Sequence, residues 1–323
     1  MQPDSLFYSA MKKPIIILLL GLFSPQLFAQ SLQERYRRHI EYLASDDMQG
    51  RAAATRYDTL SVAYILAELA TIDGLTLLGD GGMQVVPYRA RVSREDTTRV
   101  PKTTFNVVGL IEAGDPQYRN RTLIMGAHYD HLGVRPVEGV PQIFNGADDN
   151  ASGTAFIIES ARDLAQQRDK LKANVIVILF GGEEAGLVGS RHYANNPLRP
   201  IEEVKAMLNF DMLGRMTANG ITVRGVGSAK EAFELYGGLK NPDKIDLIFE
   251  MRGNGPTDYA SFYRVGVPAF SYSTRQHSDY HRHTDTVEKI NYEGMEMARN
   301  YIWQMVEILA FSNKELRFKD VMD

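Results

Sequence analysis

Val175-Ile176-Val177-Ile178-Leu179-Phe180 is an unbroken apolar run, and Gly181-Gly182-Glu183-Glu184 follows it directly. Six apolar residues without alternation are expected of a β-strand buried on both faces, the condition of a strand inside a helix-covered parallel sheet. On both sides of this run, strand and helix signals take turns. Residues 105–111, 123–126 and 204–210 read as strands, and 267–272 as the next one. Residues 153–164, 190–194 and 292–311 read as helices. The alternation predicts an α/β fold, a mainly parallel mixed sheet flanked by helices. Ahead of it, 31–44 and 57–72 carry apolar residues at helical spacing, while 91–99 is charged and turn-like. Residues 217–254 are less regular and read as a flap or small insertion. No repeat, low-complexity tract or linker divides 30–323, so a single domain is expected.

The chain has 323 residues, 44% hydrophobic and 24% charged, which is ordinary globular composition. A net charge of -4 argues against a nucleic-acid binder, which would usually show a basic face. The absence of cysteine excludes disulfides, a thiol nucleophile and thiolate metal sites. Any metal site must use His, Asp and Glu, a donor set that suits zinc or a neighbouring divalent ion. No Gly-x-Ser-x-Gly elbow is present, and Gly225-Val226-Gly227-Ser228 lacks the spacing of a phosphate loop. Residues 1–29 read as a signal peptide: Lys12-Lys13, an apolar run over 15–23, then Leu27-Phe28-Ala29 before Gln30. Met11 is the better start. The run is too short to span a membrane. The expected product is exported, periplasmic or secreted, with no stable membrane insertion after cleavage.

Four segments close apolar runs with acidic or histidine residues: 126–130 with His128 and Asp130, 146–153 with Asp148 and Asp149, 180–184 with Glu183 and Glu184, and 209–212 with Asp211. In a parallel sheet, ligands bind at the carboxyl ends of the strands, so these segments can converge. The segment with Asp149 leads into a helix, whose N-terminus favours negative charge. A fifth segment, 280–286, offers Tyr280, His281, His283 and Asp285, and His277 lies just before it.

These five segments, in this order and with these gaps, resemble the M28-type metallopeptidase family. That family holds the bacterial two-zinc aminopeptidases, glutamate carboxypeptidase and the glutaminyl cyclases. Asp46-Asp47-Met48-Gln49-Gly50-Arg51 is also similar to the start of many members. The resemblance implies a zinc-exopeptidase (phosphorylase/hydrolase-like) architecture and two Zn2+ per chain. His128 and Asp211 would bind one ion, Glu184 and His281 the other, and Asp149 would bridge both. Glu183 would be the general base and acid, and Tyr280 would steady the oxyanion. Asp130 would orient His128, and Asp285 belongs to the Asp-Thr pair that selects His281 over His277 and His283. The Asp149–Asn150 peptide would be cis.

Elementary chemistry runs alongside. Two close divalent ions need a shared carboxylate to screen their repulsion, and three carboxylates leave the pair net positive. A carboxylate beside the attacking water can carry its proton to the leaving amine. A metal-binding histidine usually gives its other N–H to a carboxylate, and Asp130 is within reach of His128.

Against this stand plainer readings. Asp148 and Asp149 suit a helix cap, Glu183-Glu184 a solvated pair, and Tyr280 a packing role. His131 is a weaker candidate ligand, and His39 and His192 read as packing or surface residues. Arg275 is a candidate for a substrate carboxylate. Many relatives carry Ser-Asp-His where this chain has Thr257-Asp258-Tyr259. The expected activity is hydrolysis of peptide bonds, with release of N-terminal residues from peptide substrates. The alternatives are a carboxypeptidase or dipeptidase on the same site, or a single-zinc glutaminyl cyclase.

Overall fold

The structure, a computed structural model, describes residues 30–91, 96–216 and 220–321. The expected signal peptide lies outside the described residues. From Ser31 onward the chain forms one compact unit. No helix among the described residues is long and apolar enough to cross a membrane.

Two helices, α1 (Leu32–Leu43) and α2 (Arg56–Ala70), open the chain. Strands β1 (Thr76–Leu77), β2 (Met83–Arg91), β3 (Arg99–Ile111) and β4 (Thr122–His128) follow, then a hairpin of β5 (Gly133–Val137) and β6 (Val140–Phe144). Next come α3 (Gly153–Ala165), β7 (Asn174–Phe180), α4 (Val188–Asn195) and β8 (Val204–Phe210). The chain closes with β9 (Gly220–Arg224), α5 (Ala232–Gly238), β10 (Asp246–Glu250), α6 (Tyr259–Tyr263), β11 (Ala269–Ser273) and α7 (Tyr292–Phe311).

Nine strands make one mixed sheet in the order β1-β3-β7-β4-β8-β11-β9-β10, with β2 paired to β3. Its centre is parallel: β7 with β4, β4 with β8, β8 with β11. The flanks reverse, β3 against β7 and β9 against β11. Burial on both faces is visible residue by residue in β7. Val175, Val177 and Leu179 pack into the larger core under α1, α3 and α7, while Ile176, Ile178 and Phe180 pack into the smaller core with α6.

The expected elements are present, with differences that have physical causes. Strand β4 runs on to His128, and β3 begins at Arg99, ahead of the expected 105. Strand β2 carries Pro87, which is tolerated because β2 pairs on one side only. Residues 217–254, read as a flap or insertion, contain β9 and β10, which extend the main sheet as a parallel pair.

Helix α1 starts with a capping box, Ser31 and Glu34 each accepting the other's backbone N–H. It buries Tyr36, His39, Ile40 and Leu43. His39, read as an ordinary surface or packing residue, is fully buried in a polar cluster. Its Nε2 lies 2.9 Å from Glu159 Oε1 on α3, its Nδ1 lies 2.8 Å from the Tyr64 hydroxyl, and Arg35 Nε donates to Glu159 Oε2 at 2.5 Å. Burial works against the Glu159 charge, but His39 and Arg35 outweigh it and hold the carboxyl at about 2, against an ordinary 4.5.

A carboxyl depressed in the folded state stabilises above its unfolded pKa and loses that contribution as pH falls through the folded value. The shift is worth about 3 kcal/mol. Glu159→Gln should therefore lower stability by roughly that amount at pH 7, with the gap closing between about pH 4.5 and pH 2. Urea unfolding of both proteins across that range checks it, and a gap independent of pH would remove charge as the cause.

Candidate metal centre

The carboxyl ends of the parallel strands deliver the polar residues. His128 ends β4, Asp211 follows β8, and Glu183 and Glu184 follow β7. Asp149 lies in the irregular turn Ala147–Ser152 that leads into α3, and its peptide bond to Asn150 is cis. His281 comes from the segment after β11.

These side chains meet in two groups that share Asp149. His128 Nε2 lies 3.3 Å from Asp149 Oδ1 and 3.5 Å from Asp211 Oδ1. His281 Nε2 lies 3.2 Å from Asp149 Oδ2 and 3.2 Å from Glu184 Oε1. His131 reaches the same two oxygens, 3.1 Å from Glu184 Oε1 and 3.7 Å from Asp149 Oδ2. The sets His128/Asp149/Asp211 and His131/Asp149/Glu184 are each compact enough to hold one metal ion. Among the described residues, Asp149 Oδ2, Glu184 Oε1 and both ring nitrogens of His131 are buried without a hydrogen-bond partner. Buried polar atoms normally find partners, so orphaned acceptors and imidazole nitrogens facing one another fit a cation between them.

A cleft opens over this cluster. It is lined by His128, Asp149, Glu183, Asp211, Tyr280 and His281 on the side of the cluster. Arg224, Thr257, Ser273 and Gln276 also line it. Burial pushes the Glu183 carboxyl well above the usual range, against the pull of His128 and with help from Asp258, Asp211 and Glu184. The Tyr280 ring stacks on His281, centroids 3.9 Å apart. Burial and then Asp149, Asp211 and Glu184 raise its hydroxyl, so at neutral pH it is a donor.

The residues behind the cluster differ in part from expectation. His128 Nδ1 is 3.1 Å from the backbone carbonyl of Asp130 and 3.9 Å from its carboxylate. That carboxylate instead accepts the backbone N–H of Glu183 at 3.0 Å and of Glu184 at 3.3 Å. Chain geometry explains it: the carbonyl two residues on is already aimed at the ring, leaving the side chain free to cap the β7 terminus. The Asp285 carboxylate accepts from the N–H groups of Asp148 and Asp149. Asp148 turns away from the cluster to His277 Nε2 at 2.9 Å. His277 and His283, the histidines passed over in favour of His281, are not among the residues lining the cleft; His283 packs edge-on against Phe144. Arg275 pairs with Asp246 at 2.6 Å and is absent from the cleft lining.

Two residues were not assigned a role from sequence. Asp258 is fully buried and raises Glu183 electrostatically. Arg51 is fully buried and donates to five carbonyls: Tyr129 at 2.6 Å, Leu43 at 3.0 Å, Gly146 at 2.6 Å, Asp149 at 3.3 Å, and Asn145. Burial lowers its pKa to about 10, opposed by Asp149, Asp285, Asp130 and Glu184, so it stays charged at neutral pH. Gly146 makes this packing feasible: at φ +62°, a Cβ there would sit 2.2 Å from the Asp149 carbonyl oxygen.

The sequence model of peptidase family M28 matches residues 106–306. An aminopeptidase of Pseudomonas aeruginosa is 33% identical over 186 residues, which cover 53% of this chain and 31% of the relative. The chain thus spans about a third of the length of the first curated relatives it matches. Among solved structures, a zinc aminopeptidase from Bacillus subtilis superposes with a TM-score of 0.68 at 16% identity, covering 88% of this chain and 97% of that one. A glutaminyl cyclase from Bacteroides thetaiotaomicron superposes with a TM-score of 0.63 at 15% identity, covering 87% and 98%. At these identities the superpositions establish the fold.

Arg51→Lys keeps the charge but cannot satisfy five acceptors, and each orphaned buried carbonyl costs about 1–3 kcal/mol. The variant should fold with stability reduced by about 2–4 kcal/mol and with faster amide exchange over 145–149 than elsewhere. Unchanged exchange there would show that the guanidinium does not hold this loop.

Proposed function

The chain belongs to peptidase family M28, and from that premise we propose that it is a metal-dependent exopeptidase that releases N-terminal residues from peptides. The observation that carries this reading is the pair of donor groups sharing Asp149 beneath a cleft that Glu183 also lines. We assign His128, Asp149 and Asp211 to one zinc ion, and Asp149, Glu184 and His281 to a second. His281 is preferred to His131 because its Nε2 is equidistant from both oxygens and it lines the cleft, where substrate must meet the metal. His131 then supports Glu184 from beneath.

Zinc bound there supplies Lewis acidity toward the scissile carbonyl and makes water a stronger acid. Glu183 takes a proton from the attacking water as its oxygen bonds to the carbonyl carbon, and returns that proton to the amine nitrogen as the C–N bond breaks. The Tyr280 hydroxyl donates to the carbonyl oxygen as charge develops. Asp130 holds the backbone of Glu183 and Glu184, and Asp285 that of Asp149. Export, to a periplasm or the medium, is supported by the leader pattern of residues 11–29.

The fold is shared with a glutaminyl cyclase, so architecture does not separate the two chemistries. What supports the peptidase reading is the donor set, two groups that share Asp149 and could each hold an ion. Metal analysis of the mature protein, coupled to turnover of aminoacyl anilides, tests the choice. About two zinc per chain, with activity abolished by chelation, is expected. About one zinc with cyclisation of glutaminyl peptides would replace this reading. Release of Gly rather than Leu from Leu-Gly-Gly would reverse its polarity.

Glu183→Gln should retain the metal and lose roughly 10²–10⁴ in kcat. Asp149→Ala should lose both ions. His281→Ala should lower metal content, whereas His131→Ala should lower it less. The opposite order would exchange the two histidines.

A further inference from the structure

Among the described residues, Arg224 is the one Lys or Arg side chain that lines the cleft, and the mechanism does not use it. Its position follows from the sheet register. Arg224 pairs with Ser271 on β11, and Ser271 pairs with Asn209 on β8. Cross-strand partners share a face, and Asp211 lies two residues after Asn209, so Asp211 and Arg224 face the same side. Two strand spacings and two residues of rise put their Cα atoms about 12 Å apart. An extended peptide crossing the cleft covers that distance in three or four residues.

The guanidinium is available. Its Nε donates to Glu250 at 3.2 Å, and among the described residues its two terminal nitrogens make no hydrogen bond. Glu250 is half-exposed at the edge strand β10, so solvent screens this pair, whereas Arg224 is only 24% exposed. The cleft residues around it, Thr257, Ser273 and Gln276, are neutral hydrogen-bonding groups. A planar fork of donors suits a carboxylate held by two parallel hydrogen bonds. Arg275, the candidate named from sequence, donates one terminal nitrogen to Asp246 and is not among the residues lining the cleft.

We propose that Arg224 is a specificity-determining residue that receives a carboxylate of the substrate, so that peptides carrying one within about three residues of the scissile bond are preferred. This rests on the peptidase reading above. The carboxylate has two sources, the C-terminus of a short peptide or an acidic side chain.

The test reads binding rather than turnover. The zinc-loaded protein is titrated with an analogue of Leu-Gly-Gly in which CH2–NH replaces the scissile amide, as free acid and as C-terminal amide. A second pair, with Glu or Gln in an amide-capped analogue, probes the side chain. At least one charged member should bind about tenfold tighter than its neutral partner, since hydrogen bonds to charged groups are worth that much or more. Arg224→Gln should bring the ratio to within about twofold, Arg224→Lys should keep part of it, and Glu250→Gln should widen it. Discrimination in the first pair assigns the C-terminus, and in the second the side chain. Ratios near one in the unaltered protein, or a ratio that survives Arg224→Gln, would overturn the proposal. Because binding is measured directly, failure to hydrolyse any peptide would sink the peptidase reading without obscuring this result.

Discussion

Asp149 sits where two groups of donors meet, and the surrounding structure is arranged to keep its carboxylate there. Each of its oxygens faces a different imidazole, Oδ1 toward His128 and Oδ2 toward His281. Its N–H is tied to Asp285 and its carbonyl to Arg51. A side chain fixed at both ends of its own peptide unit has little freedom to swing, and two metal ions sharing it would be placed by the protein rather than by each other. Preorganisation of this kind makes a two-metal site effective at little cost at the moment of reaction.

The same arrangement creates an electrostatic problem. Asp149, Glu184, Asp211, Glu183, Asp130 and Asp258 crowd into a largely buried space. Two like charges 4 Å apart repel by about 4 kcal/mol at an effective dielectric of 20. Histidines answer part of this from the cleft side, as a bound cation would, and Arg51 answers it from behind. Its five acceptors are all carbonyls, so its charge is not cancelled locally and acts on the whole acidic cluster. The segment carrying Arg51 precedes residue 106, where the family match begins, so the centre depends on chain outside the matched region.

What the sequence disclosed follows from how each signal arises. The run at 175–180 was readable because burial on both faces removes polar residues, and the same holds for 204–210. The segments after these strands were readable because carboxylates seldom follow buried runs without a reason. Strand β2 was not, because a strand paired on one side tolerates Pro87 and alternates with polar residues. Arg51 was not, because a guanidinium that donates only to carbonyls has no partner type to search for. The competition between His131 and His281 is a matter of a few tenths of an ångström and leaves no trace in spacing. Asp130 lay at the right distance from His128, but whether its carbonyl or its carboxylate turns to the ring depends on where the β7 terminus needs an acceptor.

Sheet topology explains why one cleft has two chemically different sides. Strands β4, β7 and β8 run parallel and present their carboxyl ends at one edge, where His128, Glu183, Glu184 and Asp211 lie. At β11 the order turns over, because β9 runs antiparallel to it. A residue late in β9 therefore lies down the sheet face instead of at its rim, beside Asn209 and Ser271 rather than beside Asp211. Parallel strands bring carboxylates to the rim, and the reversed strand sets a cation below it. A peptide lying across that face would meet the reacting groups first and the guanidinium last. On the proposed reading, the point where strand direction changes would bound the substrate, while the parallel strands would position the chemistry.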